Sequence, residues 1–391
     1  MTAAPFVSLN SWSAPGSIYQ ATAPMEIVVG QPGEWQRLED ALARHRADAR
    51  EQPSGGAMGF VTYEGAFWFG IFPALTLLPA SPLTPLWIER RAAAERPSRL
   101  GPWRANQTRN QFEEAVRAAQ VHIAAGDIYQ VNLAQRFVAE FSGNPLALFE
   151  YLLACSPAPG AAFLDTGERQ ILSASPELFL RIDRDRCITT RPIKGTRPRD
   201  ADPRRDQQLA DELLADPKER AELLMITDLE RNDLGRVCEF GSVAVPELLR
   251  LEKFAQVQHL VSTVTGRLRA DVSPVQALAA CFPGGSITGA PKKRATEIIA
   301  DLEPEPRGIY TGAIGVFGFD GSAAFNIAIR TLVHEPARGE LHYHVGAGIT
   351  AGSVPAREFD ETMHKGAGLR AAVARYAGRA PLATTVANSR A

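Results

Sequence analysis

The stretch from Ile309 to Thr350 constrains the fold more than any other part of this chain. Within it, Asp320-Gly321 is a dipeptide typical of a hairpin between two strands, and a third strand is expected after Gly339. Strands joined by such short turns pair antiparallel. Elsewhere, helical and strand patterns alternate without a regular strand–helix–strand rhythm. The sequence therefore predicts an α+β fold with antiparallel sheets and not a doubly wound parallel sheet.

Apolar spacing predicts several helices. Phe112, Val116 and Ala119 recur at helical intervals, and Gly126 is typical of a residue just beyond a helix end. A strand is expected over residues 127–137, where apolar and polar side chains alternate. Further helices are predicted over residues 34–46, over 203–231 with a break at Asp216-Pro217, and over 355–376.

Composition divides the chain into three parts. Residues 1–100 contain short strand and turn patterns, with proline and serine clustered over residues 80–84 and 96–102. We predict a linker at this point and a main domain over residues 101–377. Residues 378–391 are small and polar, which favours a disordered tail.

Charge and cysteine content argue against several classes of function. The 391 residues carry a net charge of −2, which gives no electrostatic footprint for nucleic acid or a membrane surface. The four cysteines are widely spaced without a C-x-x-C pair, so neither a zinc site nor a disulfide framework is indicated. No secretory signal opens the chain, and prolines interrupt its most apolar stretch. We expect a cytoplasmic protein that binds neither nucleic acid nor membrane.

The heptapeptide TRPIKGT contains the first candidate nucleophile, Lys194. Pro192 and Ile193 supply apolar neighbours, and Arg191 and Arg197 supply like charge; both environments lower the pKa of a lysine. A neutral amine is a nucleophile, whereas an ammonium is not. The alternative is a surface lysine in a basic turn, and these seven residues alone do not exclude it.

Two predicted helices each carry a Glu-x-x-Glu pair: Glu219 with Glu222, and Glu358 with Glu361. A spacing of three places both carboxylates on one helix face. If the two faces met, they would form an oxygen-rich site suited to Mg²⁺. Helix capping by the preceding aspartate could instead account for Glu219, and pairing with a lysine one turn on could account for Glu361.

The glycine-rich segment FPGGSITGAPK, residues 282–292, has the spacing of a phosphate-binding loop at Gly284 and Gly289. Ala290-Pro291 stands where lysine and serine or threonine would have to follow, so a Walker loop is excluded. A glycine-rich turn that leads into a helix can still present backbone N–H groups to a carboxylate.

Four more positions are candidates for substrate contacts. We place Arg330 in the second strand of the 309–350 region, where a fixed guanidinium could clamp a carboxylate or simply extend from a sheet edge. Gly346 and Gly348 indicate a close approach of the backbone to another group. His259 could be an acid, a base or a hydrogen-bonded core residue.

Taken together, these segments resemble the chorismate-binding family. It includes component I of anthranilate synthase and of aminodeoxychorismate synthase, and the isochorismate and salicylate synthases. The resemblance lies in residues 126–137, 175–179, 191–196, 218–222, 228–234, 259–263, 282–292 and 346–361, with 59–64 as the best segment of the N-terminal region.

The resemblance implies a large fold in which antiparallel sheets pack as a sandwich with helices outside, preceded here by a shortened N-terminal region. It implies catalytic roles for Lys194, Glu177 and His259. It also implies a bound Mg²⁺ and four carboxylate ligands, Glu219, Glu222, Glu358 and Glu361.

The same resemblance implies which residues contact the substrate. In the family, the corresponding positions bind the enolpyruvyl carboxylate or offer hydroxyl contacts to the ring. They are Thr196, Ser286, Tyr310, Arg330, Gly346 and Gly348.

Three positions indicate the branch of the family. Water-adding members carry a lysine where this chain has Gln130, and an amide cannot serve as that base. Anthranilate synthases have a pattern similar to PIAGT where this chain has PIKGT. In having Lys194, the chain resembles the aminodeoxychorismate branch, which supplies 4-aminobenzoate for folate. Residues 156–163 resemble the same branch. An anthranilate synthase component I and an inactive chorismate-binding relative remain alternatives.

The source of ammonia is expected outside this chain. A glutaminase needs a cysteine nucleophile on a tight, glycine-flanked turn with a histidine nearby. None of the four cysteines lies in such a turn, because their contexts are LACS, DRCI, RVCE and AACF. We therefore predict a separate glutamine amidotransferase subunit as partner, with chorismate and ammonia as the substrates.

Overall fold

The computed structural model describes residues 5–10, 16–48, 55–79, 98–254 and 256–378. In these residues the chain forms two large antiparallel sheets and eight α-helices, which confirms the α+β class. No helix within them is long and apolar enough to cross a membrane. The predicted tail, from residue 379 onward, lies outside the described residues.

The first sheet has eleven strands. Their order is β17-β9-β21-β20-β11-β10-β1-β2-β6, and β7 and β8 also pair with β9. The strands are β1 Phe6–Asn10, β2 Ser17–Thr22, β6 Thr76–Pro79, β7 Arg99–Leu100, β8 Arg104–Ala105, β9 Gln130–Ser142, β10 Gly160–Asp165, β11 Gln170–Ser175, β17 Gly289–Ala290, β20 Thr331–Glu335 and β21 Glu340–Ile349.

The second sheet has ten strands in the order β14-β16-β13-β12-β19-β18-β4-β5-β3, with β15 also paired to β16. The strands are β3 Glu26–Gly30, β4 Gly56–Val61, β5 Phe67–Phe72, β12 Leu178–Ile182, β13 Cys187–Arg191, β14 Ile193–Pro198, β15 Ala244–Lys253, β16 Val257–Arg267, β18 Ala313–Gly318 and β19 Ala323–Ile327.

Five of the eight helices begin at a side-chain cap, formed by Thr108, Asn144, Asp202, Asp216 and Ser273. Asp216 ends one helix and accepts hydrogen bonds from the first backbone N–H groups of the next, so the predicted break at Asp216-Pro217 is confirmed. The helices are α1 Trp35–Asp48, α2 Arg109–Ala124, α3 Pro145–Cys155, α4 Pro203–Ala215, α5 Pro217–Gly235, α6 Pro274–Cys281, α7 Lys292–Leu302 and α8 Pro355–Gly378, with a 3₁₀ turn over Gly285–Ile287.

A shared apolar core joins the two sheets. Val7 and Leu164 of the first sheet pack with Met58 and Val316 of the second. Helices α3 and α8 cover the outer face of the first sheet, and α1 and α6 pack against the second. The fold is therefore a sandwich with helices outside, as the resemblance implied.

The region from Ile309 to Thr350 differs from the prediction. It contains four strands and not three, and they belong to different sheets: β18 and β19 to the second, β20 and β21 to the first. The placement of Arg330 within a strand is wrong. It lies between β19 and β20, where the chain passes from one sheet to the other, with a left-handed φ of 50°.

The strands before residue 100 extend both sheets. β1, β2 and β6 belong to the first sheet, and β3, β4 and β5 to the second. Of the predicted linker, residues 80–84 and 96–97 lie outside the described residues, as do residues 85–95, whereas Arg99–Leu100 form β7, which pairs with β9. The division of the chain near residue 100 therefore stays a prediction from composition.

Candidate active site

Lys194 lies on β14, at a bulge in its pairing with β16. Its Nζ donates a hydrogen bond to the backbone oxygen of Ser286, 3.0 Å away. The bulge centres on Gly195, whose φ is 74°. A Cβ at this glycine would lie 2.7 Å from Leu213 Cδ1 and 3.2 Å from Glu219 Oε2. The glycine thus lets the start of α5 approach the strand that carries the lysine.

Glu177 lies in the turn between β11 and β12 and is 4% exposed. Its Oε1 accepts a hydrogen bond from the backbone N–H of Ile193, at 3.3 Å. Burial raises the pKa of Glu177, although the charges of Lys194 and Arg330 act in the opposite direction. The Ser286 hydroxyl is near this carboxyl, yet it makes no hydrogen bond of normal geometry to a described residue. Glu177 is thus a buried acid beside the candidate nucleophile.

His259 lies on β16 opposite Thr196 of β14. Its Nδ1 is 2.9 Å from the Thr196 hydroxyl. Burial, together with the charge of Arg330, lowers the pKa of His259 to about 4. The ring is therefore neutral near pH 7. It can orient a hydroxyl through a hydrogen bond, but it cannot act as the general acid that an imidazolium would be.

The two acidic helix faces lie within electrostatic range of each other. Burial acts to lower the pKa of Lys218, but the charges of Glu222, Glu358, Glu361 and Glu219 outweigh it and raise that pKa, so all four carboxylates act on one ammonium. Lys218 Nζ is 3.8 Å from Glu222 Oε1. Burial raises the pKa of both Glu222 and Glu358. Helices α5 and α8 thus bring their Glu-x-x-Glu pairs to one place.

Two carboxylate oxygens in this cluster are buried without a hydrogen-bond partner among the described residues, Glu222 Oε1 and Glu358 Oε2. Within the same residues, no three His, Cys, Asp or Glu side chains are close enough together to hold a metal ion by themselves. Mg²⁺ commonly takes one or two carboxylates and completes its shell with water and substrate oxygens. The orphaned oxygens and the hard donor set therefore fit that ion.

The structural roles weighed for these glutamates are present as well. Asp216 Oδ1 accepts from the backbone N–H of Glu219 at 3.2 Å, as expected for a helix cap. Lys365 Nζ lies 2.7 Å from Glu361 Oε1. Burial acts to raise the pKa of Glu361, but Lys365 and Lys218 outweigh it and lower that pKa. Capping and pairing therefore coexist with a shared acidic cluster.

The two glycines of β21 lie against polar groups. A Cβ at Gly346 would be 2.7 Å from Asn132 Oδ1 and 3.0 Å from Tyr310 Oη. A Cβ at Gly348 would be 2.5 Å from Gln130 Nε2, whose amide is 3.5 Å from Glu222 Oε2. The backbone of β21 therefore links the acidic cluster to Tyr310.

The remaining candidates fall into the same region. The charge of Arg330 acts on both Glu177 and His259, so its guanidinium lies within electrostatic range of the two side chains. That of Lys194 acts on Glu177 and also on Glu222 and Glu361 of the acidic cluster. The nucleophile candidate thus lies between the buried acid and the carboxylate helices.

Sequence reasoning gave no role to two buried charged residues next to this region. Glu230 accepts a hydrogen bond from the Thr190 hydroxyl at 2.6 Å. Arg307 is 2% exposed and bonds to several backbone oxygens. Glu230 stands within a segment that matched the family pattern, but that pattern did not indicate its role. Arg307 precedes a glycine in a loop and had no local signal of its role.

Comparison with known proteins agrees with this arrangement. The model of the chorismate binding enzyme family matches residues 74–371. Anthranilate synthase component 1 of Streptomyces coelicolor is 48% identical over 289 residues, which are 73% of this chain and 56% of that protein. Aminodeoxychorismate synthase component 1 of Klebsiella aerogenes is 48% identical over 281 residues, 71% of this chain and 62% of that protein. The chain thus spans little more than half the length of these relatives.

Solved structures share the fold. Anthranilate synthase component I of Streptococcus pneumoniae superposes with a TM-score of 0.69 at 28% identity, covering 93% of this chain and 89% of that one. The menaquinone-specific isochorismate synthase of Escherichia coli gives a TM-score of 0.77 at 19% identity, covering 95% and 89%. With the family match over most of its length, this chain belongs to the chorismate binding enzymes.

Proposed function

We propose that this protein replaces the 4-hydroxyl of chorismate with an amine from ammonia, giving 4-amino-4-deoxychorismate. The observation that carries the proposal is the position of Lys194, between the buried acid Glu177 and the acidic faces of α5 and α8. The similarity to aminodeoxychorismate synthase component 1 supports it.

The first step forms a covalent intermediate. Lys194 Nζ, once it has released its proton to the solvent, forms a bond to ring carbon C2. The two ring double bonds move from C1=C2 and C5=C6 to C1=C6 and C4=C5, and the bond between C4 and the hydroxyl oxygen breaks. Glu177 gives its proton to the departing oxygen, which leaves as water. Burial holds the pKa of Glu177 above its usual range, which keeps that proton available.

The second step reverses the shift. The ammonia nitrogen forms a bond to C4, the two double bonds return to C5=C6 and C1=C2, and the bond between C2 and Lys194 Nζ breaks. The proton that ammonia loses passes to the Glu177 carboxylate, so the acid and the free amine are both restored. Two displacements in sequence retain the configuration at C4 and exchange ammonia for water.

The substrate contacts follow the placement of the side chains. Arg330, Tyr310 and the backbone of Gly346 and Gly348 would bind the enolpyruvyl carboxylate. The hydroxyls of Thr196 and Ser286 would contact the ring substituents. Neutral His259, through its contact with Thr196, would orient the leaving-group region.

Glu219, Glu222, Glu358 and Glu361 would hold Mg²⁺ beside the ring carboxylate of chorismate. When bound, the ion acts as a Lewis acid that draws charge from the ring through that carboxylate. The contribution of the chain itself is to place two helix faces so that buried carboxylate oxygens have no hydrogen-bond partner among the described residues, as seen for Glu222 Oε1 and Glu358 Oε2.

The residue at position 130 favours amination over hydration. Gln130 is 2% exposed, and its amide lies against Glu222 and Gly348. An amide takes up no proton near neutral pH and cannot activate water as a base. Isochorismate and salicylate formation are therefore not proposed for this chain.

The covalent step is tested by incubating the protein with Mg²⁺ and chorismate in the absence of ammonia. Intact mass spectrometry should show an adduct on the wild type and on Lys293→Ala, which removes an exposed lysine of α7. Lys194→Ala should form none. If the wild type forms no adduct and Lys194→Ala still aminates C4 at a near-normal rate, the nucleophile is misassigned.

Anthranilate formation is the second candidate, because the relative with that activity is as similar in sequence as the aminodeoxychorismate synthase. The products separate the two. Anthranilate is fluorescent and its formation releases pyruvate, whereas aminodeoxychorismate keeps its enolpyruvyl group. A fluorescent product formed with an equal amount of pyruvate would show that the protein makes anthranilate and would contradict the present proposal.

Ammonia would come from a separate glutamine amidotransferase subunit. Burial raises the pKa of the Cys238 thiol to about 11 and that of Cys281 further still, which is opposite to the activation of a glutaminase nucleophile. We expect turnover of the purified chain with ammonium salts and not with glutamine. Glutamine use by this chain alone would contradict the assignment of a partner.

A further inference from the structure

Arg307 is a buried cation with no role in the reaction proposed above. Its side chain is 1% exposed and lies in the loop after α7, just before Tyr310. Two of its bonds go to one carboxylate: Nε to Glu303 Oε2 at 2.9 Å and Nη2 to Glu303 Oε1 at 2.6 Å. This bidentate pair keeps the guanidinium charge compensated in the interior.

The other three guanidinium donors reach three separate segments. Nη1 donates to the backbone oxygen of Ile287 at 3.1 Å and to the hydroxyl of Thr311 at 3.2 Å. Nη2 donates to the backbone oxygen of Asn132 at 2.6 Å. A guanidinium has five N–H donors, so every one of those on Arg307 is used.

Two of these acceptors adjoin a proposed substrate contact along the chain. Ile287 follows Ser286, whose backbone oxygen receives the hydrogen bond from Lys194. Thr311 follows Tyr310, whose ring centroid is 5.9 Å from the guanidinium carbon of Arg307. Arg307 therefore fixes the 3₁₀ turn and the Tyr310 turn relative to each other.

The third acceptor and the partner carboxylate fix the glycine strand. Asn132 of β9 pairs with Gly348 of β21, and Ala134 pairs with Gly346. The backbone N–H of Ala134 donates to Glu303 Oε1 at 2.8 Å, so the arginine–carboxylate pair contacts β9 at both positions. One ion pair thus ties together the three segments that surround the proposed carboxylate site.

The backbone at Thr311 is strained. Its φ is 59°, a value that a β-branched residue rarely adopts. Its N–H donates to the backbone oxygen of Ala328 at 2.9 Å, two residues before Arg330, whose φ is 50°. Such outliers persist only where the surroundings hold them. The bond from Arg307 to the Thr311 hydroxyl is one of the contacts that does so.

We propose that Arg307 is a positioning residue, which sets the relative positions of Tyr310, Ser286 and the β21 glycines so that chorismate binds through its enolpyruvyl carboxylate. This inference rests on the proposed function. Lysine cannot replace it, because an ammonium offers three donors from a single point and lacks the planar fork.

The test compares Arg307→Lys with the wild type by equilibrium binding of chorismate in the presence of Mg²⁺ and the absence of ammonia. We expect Kd to rise at least about tenfold and kcat/KM to fall about 10²-fold, the usual effect of a displacement near 1 Å. Arg186→Lys is the matched control. Arg186 donates to the backbone oxygens of Leu268, Arg269 and Val272, away from the site, so it should lower Tm and leave Kd unchanged.

Thr311→Val is the second variant, for the case in which Arg307→Lys does not fold. It keeps the charge and the shape but removes the hydroxyl that accepts from Arg307 and donates to the backbone oxygen of Tyr310 at 2.6 Å, and Kd should rise about tenfold. Unchanged Kd in the folded variants, with only Tm lowered, would show a purely structural role and overturn the inference. A wild type that binds chorismate but does not aminate it would refute the proposed function while leaving the binding comparison decisive. A wild type that binds no chorismate would overturn both.

Discussion

Glu230 provides the sharpest quantitative test of the buried charges beneath the candidate site. It is 6% exposed and accepts a hydrogen bond from Thr190 Oγ1 at 2.6 Å. Burial raises the pKa of Glu230 from 4.5 to about 8; the Thr190 bond and Lys292 oppose the change, and Glu177 and Asp233 reinforce it. Glu230 is therefore protonated in the folded protein at neutral pH.

This pKa predicts how stability depends on pH. Between pH 4.5 and about 8 the folded protein keeps a proton that the unfolded chain releases. The folded state binds more protons in this window, so the free energy of unfolding falls as pH rises. Each pH unit costs about 1.4 kcal/mol, so the contribution of Glu230 amounts to about 3 kcal/mol at pH 7.

Glu230→Gln should remove this cost. The amide has no proton to release, and its oxygen can still accept from the Thr190 hydroxyl. Relative to wild type, the free energy of unfolding should therefore rise by about 3 kcal/mol between pH 4.5 and pH 7, with no further relative gain below pH 4.5. Urea unfolding at equilibrium across this range measures the difference.

Glu114→Gln is the control, because Glu114 is an exposed carboxylate on α2. It should change the free energy of unfolding by less than about 0.5 kcal/mol at every pH. If the wild type and Glu230→Gln give parallel curves across the range, Glu230 is not held protonated by burial.

Three further outcomes follow from the site. Glu177→Gln should lower kcat about 10²–10⁴-fold in a chromatographic assay of aminated product, and full activity would remove this residue from the scheme. Gly348→Ala, whose Cβ would lie 2.5 Å from Gln130 Nε2, should raise KM for chorismate. Gly352→Ala is the control, because a Cβ there has open space and KM should not change. Equal KM values for the two variants would contradict the close approach of β21 to Gln130. Mn²⁺ can serve as a probe for Mg²⁺, because its binding is measured by electron paramagnetic resonance. Glu358→Gln should weaken Mn²⁺ binding by about tenfold or more, and unaltered binding would exclude the Glu358 carboxylate as a ligand.

Local sequence patterns predicted the elements better than their assembly. The aspartate cap and proline at Asp216-Pro217 act within one helical turn, and the predicted helix break is present. The prediction for residues 309–350 was wrong for the opposite reason, because it depended on relations between distant parts of the chain. Strand alternation does not encode which sheet a strand joins, so the passage between sheets at Ala328–Arg330 had no signature, and Arg330 was placed inside a strand.

The same limit applies to the site. A spacing of three predicted correctly that Glu219 and Glu222 share a helix face, but only the fold brings α8 against it. The role of Arg307 was out of reach, because its acceptors at residues 132, 287 and 311 are contributed by three separate segments. Resemblance to a family supplied these long-range relations for the substrate contacts, and nothing supplied them for the residue that holds the contacts in place.

In the proposed function, the branch of chemistry depends on one side chain and not on overall similarity. Relatives with either activity match this chain at 48% identity, so overall identity does not separate the two reactions. In the proposed scheme Lys194 bonds to C2, so that carbon is blocked when ammonia arrives and the amine must add at C4. An alanine at this position, as in the PIAGT pattern of anthranilate synthases, leaves C2 open to ammonia directly. Under this proposal the same acidic helices, buried acid and carboxylate contacts would serve both reactions, and the residue on the bulge of β14 would select which carbon is aminated.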